Sequence, residues 1–289
     1  MAGFTLPRVQ RALLFVNYRK SKAAALVEEV TRELERLGIA AVIYPFEGRG
    51  EAELEPGFDI ALSFGGDGTV LYAARAAAPF GIPILPINIG TLGFIAAVPP
   101  GEWLPVFTKW LAGEEPESPR LMLDLTVERR GETVTRLSCL NEAVVSASGI
   151  AKIIRLDVSA EAMRLGHYRS DGLIVATPTG STAYSVAAGG PILDPEIEAL
   201  IINPICPFTL SNRPVVVPAH QTVIVEVEEE QRSGVLLTVD GQVTEKLESG
   251  DRILIRKAPY EARLIGSDRD MFYRALQTKL NWSGGFPHA

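Results

Sequence analysis

The sequence predicts an α/β + β protein: a Rossmann-like α/β domain at the N-terminus, then a β-rich domain of antiparallel sheet or sandwich type. In the first part, apolar strand runs alternate with helical patterns, which is typical of a parallel sheet with helices on both faces. A polar, proline-containing stretch at 113–119 ends this alternation. Beyond it, short alternating segments predominate, which favours antiparallel strands.

The elements of the first part follow from apolar periodicity. The continuous apolar run at 12–16 predicts a strand covered on both faces, and Pro83 and Pro86 predict that the last strand is short or lies at an edge. Gly38 follows a helical pattern at the position that favours a left-handed residue. Strands are expected at 12–16, 39–44, 58–64 and 82–87, and helices at 20–37, 69–78 and 103–111.

The β-rich part is predicted from short alternating segments and from turn residues. Arg130-Gly131-Glu132 suits a tight hairpin, and Asp240-Gly241-Gln242 is interpreted first as another hairpin turn. Residues 271–280 return to a helical pattern. Strands are expected at 122–128, 133–140, 153–159, 173–176, 223–227, 235–239 and 253–256.

Composition limits the classes of function. The chain has 289 residues, 47% of them hydrophobic, and its formal net charge of −7 argues against a nucleic-acid binder because no basic cluster offsets it. Cys139 and Cys206 have neither metal spacing nor a disulfide framework, so a reducing cytoplasm is expected. Since no signal-peptide pattern and no apolar run of about 18 residues is present, we expect a cytoplasmic protein with no membrane partner.

The most informative segment is the loop Gly65-Gly66-Asp67-Gly68-Thr69, which follows an apolar strand and precedes a helical pattern. Glycines there permit positive φ and let a ligand approach the backbone, while the N–H groups of the turn and the helix N-terminus attract phosphate. A carboxylate beside N–H groups that attract phosphate repels the phosphate, so it disfavours a site that only binds this anion. Asp67 therefore indicates phosphoryl transfer, through contact with a proton or a metal ion, unless it only caps a tight strand-to-helix turn.

Two further segments carry glycine-rich or polar loops. The segment 88–94 also follows an apolar strand, so its glycines would emerge beside the first loop at the carboxyl edge of a parallel sheet. The segment 171–191 contains a strand that ends in a dense set of hydroxyls. Those hydroxyls either satisfy a loop or hold a polar ligand, for which Tyr184 offers a flat ring to a base.

Other polar groups are weaker candidates. Asn141-Glu142 follows an apolar strand, where an acid beside an amide suits ribose hydroxyls and a base edge but also suits a solvated strand end. The histidines His167, His220 and His288 show no ligand spacing with one another. The sequence therefore indicates neither a zinc site nor a nucleophilic triad.

Taken together, these segments resemble the NAD kinase (ATP-NAD kinase) family over roughly residues 12 to 271. The first loop is shared with lipid kinases and phosphofructokinases, but the Thr177-Pro-Thr-Gly-Ser-Thr-Ala-Tyr184 segment is far more specific. The segments that stand in family order are 65–69, 88–94, 141–142, 171–184, 189–191, 204–207, 210–214 and 240–242.

The resemblance implies a fold, an activity and partners. The implied fold has a nucleotide-binding domain of 1–115, completed by 265–289 so that the final helix packs back on it, and a β-rich NAD-binding domain of 116–264. The implied activity is transfer of the γ-phosphoryl group of ATP to the 2′-hydroxyl of the adenosine ribose of NAD, with a divalent cation, Mg²⁺, as cofactor. The implied assembly is a homodimer or homotetramer with the site near a subunit interface.

The resemblance also assigns roles to residues. Asp67 matches the proton acceptor and a dinucleotide contact, although the sequence leaves open whether it binds the metal ion instead. Lys152 and Arg169 match by spacing alone. The phosphate loop is formed by Gly65, Gly66, Gly68 and Thr69, and the other implied dinucleotide contacts are Gly68, Asn141, Glu142, Lys152, Arg169, Asp171, Thr182, Ala183, Tyr184, Ser185, Ala187 and Gln242.

Two positions depart from the family pattern. Phe208 stands where many relatives have histidine, and Ala187 replaces a common serine, so each position lacks a polar group. Neither change touches Asp67, so activity is expected to survive. One alternative is a lipid kinase of the diacylglycerol type, which the hydroxyl-rich 177–185 segment and the acidic charge disfavour. The other is a non-catalytic NADP-sensing module, which would not need the carboxylate.

Overall fold

The computed structural model describes residues 9–50, 54–91, 93–149, 152–209 and 212–280, which form two compact units. The first unit ends at Arg120 and resumes at Ala262, and the second unit is Leu121–Glu261. The predicted first domain also includes 1–8 and 281–289, which lie outside the described residues. Leu92, Leu210 and Ser211, which belong to the family-like segments, lie outside them as well.

Strands and helices alternate up to residue 111, and strands predominate after it. The elements up to residue 111 are β1 (Arg11–Val16), α1 (Ala23–Arg36), β2 (Ala40–Pro45), β3 (Ile60–Gly65), α2 (Asp67–Ala77), β4 (Ile84–Asn88) and α3 (Trp103–Leu111). The elements that follow are β5 (Glu117–Arg129), β6 (Glu132–Cys139), β7 (Glu142–Ala147), β8 (Ile154–Ala160), β9 (Met163–Ser170), β10 (Gly172–Ala176), α4 (Tyr184–Ala187), β11 (Ala199–Ile205), β12 (Val215–Pro218), β13 (Val223–Val227), β14 (Val235–Val239), β15 (Val243–Leu247), β16 (Arg252–Ile265) and α5 (Arg269–Leu280).

The first unit is built on a parallel sheet with the strand order β2-β1-β3-β4. Leu14 and Leu62 point to one face, where they share a buried core with α1 and α3. Phe15 points to the opposite face and packs against Tyr72 of α2, with the ring centroids 5.8 Å apart. Helices therefore cover both faces, which confirms the predicted α/β class.

Helix α1 forms where the apolar residues recur at helical spacing, and Val30 and Leu34 on that face are buried. The helix ends at Arg36 with Leu37 as its C-cap, and Gly38, which follows, has a φ of +76°. The N–H of Gly38 donates to the Glu35 carbonyl at 3.0 Å, and the N–H of Ile39 donates to the Leu34 carbonyl at 2.9 Å. This pair of hydrogen bonds is a Schellman motif, which confirms the role predicted for the glycine.

Strand β4 is short, as its prolines predict, but it does not lie at an edge. Leu264 of β16 pairs with Ile84 in parallel, and Val98 forms a bridge with Ile87. Pro86 has no N–H to donate, but its carbonyl accepts a hydrogen bond from Val98 at 3.2 Å. The proline is tolerated because only isolated pairs form on that side of β4.

The second unit is a sandwich of antiparallel strands, as expected. One sheet has the order β12-β11-β10-β7-β14-β15, and in the other β16 pairs with β13, β13 with β8, and β8 with β9. Val158 and Val223 from the second sheet share one buried core with Leu173 and Leu237 from the first. The apolar alternation of these strands places their buried side chains between the two sheets.

Both predicted hairpin turns are present. Arg130 and Gly131 have φ values of 53° and 85°, and they join β5 to β6. Asp240 and Gly241 have φ values of 49° and 66°, and they lie in the turn between β14 and β15. Left-handed backbone at both central residues is the conformation that matches strand twist in tight hairpins.

The final helix α5 belongs to the first unit, which confirms that the end of the chain packs back on it. The buried ring of Phe272 lies with its centroid 6.3 Å from that of Phe94, and Lys279 Nζ lies 4.8 Å from the centroid of the same Phe94 ring. None of the helices in the described ranges is long and apolar enough to cross a membrane.

Candidate functional site

The glycine loop of the first unit joins the end of β3 to the start of α2. The glycines at 65, 66 and 68 do not adopt positive φ, so a left-handed conformation is not what requires them. A Cβ on Gly65 would lie 2.0 Å from Thr69 Oγ1, whereas a Cβ on Gly66 would meet nothing within 4 Å. Packing therefore requires glycine at 65, and glycine at 66 leaves the backbone open to a ligand.

The N-terminus of α2 suits an anion. Gly66 is the N-cap, and no side chain caps the helix. An uncapped N-terminus carries partial positive charge and directs backbone N–H groups towards a ligand. Thr69, predicted as part of the phosphate loop, is buried beneath it, and its hydroxyl has no hydrogen-bond partner.

Asp67, the first residue of α2, binds the second glycine-containing loop. Its Oδ2 accepts a hydrogen bond from the N–H of Phe94 at 2.9 Å, and its Oδ1 accepts from Ile95 at 3.3 Å and Ala96 at 2.9 Å. The carboxylate thus does not cap its own helix. Since a carboxylate can accept about four hydrogen bonds, it retains room for one further partner.

The second loop, 88–96, is shaped to receive that carboxylate. A Cβ on Gly93 would lie 1.8 Å from Asp67 Oδ1, so only glycine permits this contact. Asn88 Nδ2 donates to the carbonyls of Thr91 and Ala96, both at 2.9 Å, and fixes the loop from the other side. The glycines of this segment, a weak signal in the sequence, are therefore brought together with Asp67.

Asp240 performs a similar task in the second unit. Its carboxylate accepts hydrogen bonds from the N–H groups of Leu140 at 3.1 Å, Asn141 at 2.8 Å and Glu142 at 3.3 Å. The sequence indicates first a hairpin turn at 240–242, and the resemblance adds Gln242 as a dinucleotide contact, but neither gives a role to the side chain of Asp240. The Asp-Gly pair predicts the turn, but nothing local indicates that the side chain reaches a turn about a hundred residues earlier.

The hydroxyl-rich segment packs directly on the same turn. Thr177 Oγ1 donates to the Leu140 carbonyl at 2.6 Å and accepts from the N–H of Gly180 at 3.0 Å. A Cβ on Gly180 would lie 2.1 Å from the Asn141 carbonyl oxygen, so glycine is required there. Some of these hydroxyls therefore satisfy the loop, which was one of the two interpretations of the segment.

Glu142 is a buried acid at the centre of this cluster. Burial raises the pKa of Glu142 to about 8, the charge of Asp240 contributes to the rise, and a hydrogen bond from the backbone of Tyr184 opposes it. Glu142 Oε2 and Asn141 Oδ1 are buried without a hydrogen-bond partner. Because such atoms are costly when left unpaired, they mark a place where a polar ligand can bind.

The remaining residues of this cluster differ in exposure. The ring of Tyr184 is 46% exposed, which leaves it available to a ligand. Ser185 is buried, and its carbonyl accepts a hydrogen bond from Asn203 Nδ2 at 2.9 Å. Other predicted contacts lie in the same loop or in the β14–β15 turn, with intermediate or high exposure: Thr182, Ala183, Ala187 and Gln242.

The structure does not bring every predicted contact to this cluster. Asp171 precedes β10 and Thr177 follows it, and the five residues of that strand span about 16 Å. Lys152 and Arg169 line a separate cavity of about 340 Å³, and the Arg169 guanidinium lies 4.8 Å from the centroid of the Phe208 ring. The fold thus assembles a basic cluster that the sequence does not reveal, with the cavity also lined by Arg155, Arg232 and Glu230.

One histidine does meet two carboxylates. His167 Nδ1 lies 2.9 Å from Asp157 Oδ1 and 2.8 Å from Glu228 Oε1. Arg164 also lies 2.6 Å from Asp157 Oδ1 and contacts the ring of His167. The guanidinium already supplies the positive charge that a metal ion would bring, so this exposed group is an ion-pair network.

Comparison with known proteins identifies related sequences over most of the chain. Residues 9–114 match the family model of the ATP-NAD kinase N-terminal domain, and residues 140–267 match that of the ATP-NAD kinase C-terminal domain. The NAD kinase of Treponema denticola is 40% identical over 277 residues, which cover 96% of this chain and 98% of that protein. The NAD kinase of Geobacter sp. strain M21 is 38% identical over 285 residues, which cover 95% and 99%.

Solved structures share the fold. Yeast NADH kinase complexed with NADH superposes with a TM-score of 0.80 at 20% identity, covering 98% of this chain and 91% of that chain. An NAD kinase from Archaeoglobus fulgidus in complex with ATP gives a TM-score of 0.72 at 26% identity, covering 94% and 98%.

The contact between Asp67 and the second loop can be tested with Gly93→Ala. The added methyl overlaps Asp67 Oδ1, so the carboxylate must leave its three N–H groups, and we expect the free energy of unfolding to fall by about 2 kcal/mol or more. Gly90→Ala is the matched control, because its Cβ would lie 3.7 Å from Asn88 Oδ1 and 3.8 Å from Lys20 Nζ. Urea unfolding measures both, and equal stability of the two variants would contradict the assigned contact.

The buried acid predicts a dependence of stability on pH. Between the ordinary glutamate pKa of 4.5 and the folded value of about 8, Glu142 holds a proton in the folded protein that the unfolded chain has lost, so it lowers stability as pH rises. The effect is at most about 1.4 kcal/mol per pH unit. We expect Glu142→Gln to remove this slope in unfolding experiments from pH 5 to 8. Glu132→Gln, at an exposed hairpin position, should keep it.

Proposed function

Because the chain belongs to the ATP-NAD kinase family, we propose that it is an NAD kinase, which transfers the γ-phosphoryl group of ATP to the 2′-hydroxyl of the adenosine ribose of NAD to form NADP. The observation that carries the catalytic part of this proposal is the carboxylate of Asp67, held by three N–H groups with room for one more hydrogen bond. Relatives of nearly the same length carry the name NAD kinase, and one solved relative is a complex with ATP.

The reaction needs a proton acceptor and stabilisation of the transferred group. The ribose oxygen forms a bond to the γ-phosphorus, the β–γ bridging oxygen leaves with ADP, and the hydroxyl proton passes to Asp67. In a loose transition state that proton leaves late, so a carboxylate can serve as base. The uncapped N-terminus of α2 and the open backbone at Gly66 stabilise the charge of the phosphoryl group. Both belong to the proposed phosphate loop, which consists of Gly65, Gly66, Gly68 and Thr69.

A magnesium ion fits the polar groups of the first unit. Mg²⁺ prefers carboxylate, carbonyl and water oxygens together with substrate phosphates. Asn88 Oδ1 is a buried carbonyl oxygen with no hydrogen-bond partner, whereas the acceptor position left on Asp67 is assigned to the hydroxyl proton. Asn88 would hold the ion, which would supply charge neutralisation of the phosphates when bound.

The second unit is proposed to bind NAD. Glu142, protonated at neutral pH, can donate a hydrogen bond to a ribose oxygen as well as accept one from a ribose hydroxyl. Asn141 Oδ1 offers a further buried acceptor, and the exposed ring of Tyr184 offers a stacking surface for adenine. The proposed contacts nearby are Thr182, Ala183, Ser185, Ala187 and Gln242.

A homo-oligomer would explain the residues that lie apart. Lys152, Arg169 and Asp171 are separated from Glu142 by the length of β10. We assign them to a ligand held by a second copy of the chain, in a homodimer or homotetramer. The proposed location is the cytoplasm, where NAD and ATP are available.

The proposal is tested by incubating purified protein with ATP, Mg²⁺ and NAD and assaying NADP with an NADP-specific dehydrogenase. We expect NADP to form, and Asp67→Asn to lower turnover by a factor of about 10² or more while NAD still binds. An NADP-sensing module would bind the product without forming it. A lipid kinase would consume ATP with diacylglycerol instead of NAD.

The matched control for Asp67→Asn is Asp59→Asn. Asp59 also accepts hydrogen bonds from two backbone N–H groups, those of Gln10 at 2.8 Å and Arg11 at 2.9 Å, but it lies at the amino end of β3. We expect that variant to keep its turnover. If Asp67→Asn turns over NAD at the rate of Asp59→Asn, Asp67 is not the base.

Tyr184→Ala tests the assignment of the acceptor site. Base–aromatic stacking contributes about 1–3 kcal/mol, so the KM for NAD should rise by about 10-fold while the KM for ATP changes less. Tyr273→Ala on α5, whose ring is 43% exposed, is the control. The opposite ordering of the two KM changes would contradict the assignment.

A further inference from the structure

The turn between β16 and α5 packs against the chain that follows the second loop. Gly266 in this turn has a φ of 67°, and a Cβ on it would lie 2.8 Å from Cγ2 of Val98. The next residue, Ser267, is 2% exposed. The left-handed backbone and the close approach to Val98 fix the position of this turn, and the Ser267 side chain lies in the interior of the first unit.

A single peptide group links Ser267 to Asp67. Ser267 Oγ donates a hydrogen bond to the Ile95 carbonyl at 2.7 Å. The N–H of the same peptide group belongs to Ala96, and it donates to Asp67 Oδ1 at 2.9 Å. Because the C=O and N–H of a trans peptide point in opposite directions, the hydroxyl and the carboxylate hold the loop from its two sides.

Hydrogen bonds in series strengthen one another. When the Ile95 carbonyl accepts a hydrogen bond, the peptide group becomes more polarised, so the N–H of Ala96 becomes a stronger donor. Ile95 and Ala96 are both buried, and electrostatic interactions are stronger there than in water. The Ser267 hydroxyl therefore fixes the position of this N–H and also strengthens its bond to Asp67.

Arg120 holds Ser267 in turn. Its guanidinium donates to the Ser267 carbonyl, and the residue is 2% exposed. A close-packed charged donor gives a strong and well-directed hydrogen bond. The series thus runs from Arg120 through Ser267 and the peptide group to Asp67, and all of these residues belong to the first unit.

We propose that Ser267 is a positioning residue for the candidate base, because it holds the peptide group that orients Asp67 Oδ1 towards the reacting hydroxyl. This inference rests on the proposed function for the role of Asp67, and it adds a residue near the end of the chain that the sequence does not indicate. A serine that only satisfies the buried Ile95 carbonyl would affect stability and leave turnover unchanged, so the two roles can be separated.

Steady-state kinetics of Ser267→Ala and Ser267→Cys test the positioning role. Alanine removes the donor, whereas a thiol of similar size remains a weak donor. We expect kcat to fall by about 10-fold in Ser267→Ala, as expected for one lost hydrogen bond, and by less in Ser267→Cys. The KM values for ATP and NAD should stay within about two-fold. Wild-type kcat in Ser267→Ala overturns the proposal.

Ala275→Gly is the control for lost stability. Ala275 is buried in the interior of α5, where glycine destabilises a helix, and its methyl group forms no hydrogen bond. Both Ser267→Ala and Ala275→Gly should unfold at lower urea concentration than the wild type, but only Ser267→Ala should lose turnover. An equal fall of kcat in the two variants overturns the proposal.

A double variant tests whether Ser267 acts through Asp67. If it does, the hydroxyl has no further effect on the chemical step once the carboxylate has been replaced. We therefore expect Asp67→Asn with Ser267→Ala to keep the residual turnover of Asp67→Asn within about two-fold. A further loss of about 10-fold in the double variant overturns the proposed link.

Amide hydrogen exchange on the full chain tests the link without turnover. We expect the N–H of Ala96 to exchange at least about 10-fold faster in Ser267→Ala than in Ala275→Gly, because the loop opens locally. Equal exchange in the two variants overturns the inference whether or not the protein forms NADP. Absence of NADP from the wild type would overturn the proposed function, and faster exchange at Ala96 would still support the link from Ser267 to the loop.

Discussion

A carboxylate that accepts hydrogen bonds from three consecutive backbone N–H groups holds the candidate catalytic loops in place. Asp67 does this for residues 94–96, so the loops after β3 and β4 are positioned as one structure. Asp240 does the same for residues 140–142 in the second unit. Each turn would otherwise present several N–H groups without protein partners, and a single short side chain satisfies them at once.

This arrangement explains where glycine is required. Gly93 and Gly180 lack the Cβ that would strike Asp67 Oδ1 and the Asn141 carbonyl, respectively. In both units, therefore, glycine permits two loops to approach closely, whereas the left-handed glycines at 38, 131 and 241 occupy turns. In the proposed reaction Asp67 combines two tasks, because the carboxylate that organises the loop would also accept the hydroxyl proton. A variant at this position consequently changes geometry and chemistry together.

Much of the fold follows from the sequence because local patterns decide it. Strands β1, β3 and β4 are buried on both faces and occur as continuous apolar runs, and the period of α1 and the turn at Gly38 are local signals. Strands β7, β9, β11, β12 and β15 were not predicted. Only two of the eight residues of β9 are buried and the strand contains Gly166, while Pro204 interrupts the apolar run of β11, so each departs from the pattern that indicates a strand.

The parts of the site that depend on contacts between distant residues could not be predicted from the sequence either. The glycine loop and the hydroxyl-rich segment are evident as motifs, but the bond from Asp67 to Ala96 spans 29 residues and that from Asp240 to Glu142 spans 98. Only the fold shows that Asp240 supports Glu142, that burial raises the pKa of Glu142, and that Lys152 and Arg169 line a cavity of their own. The roles given to individual residues by family resemblance remain predictions.

The path of the chain has a consequence for how the protein is made. The first unit is interrupted after Arg120 and resumes at Ala262, so the whole of the second unit lies between its two parts in the sequence. On a ribosome, the second unit can thus emerge and fold while the parallel sheet still lacks Leu264 beside β4 and Phe272 of the closing helix. Until the last segment arrives, Ile84 lacks its partner in β16 and only Val98 covers that side of β4, which leaves part of a strand edge open to mispairing.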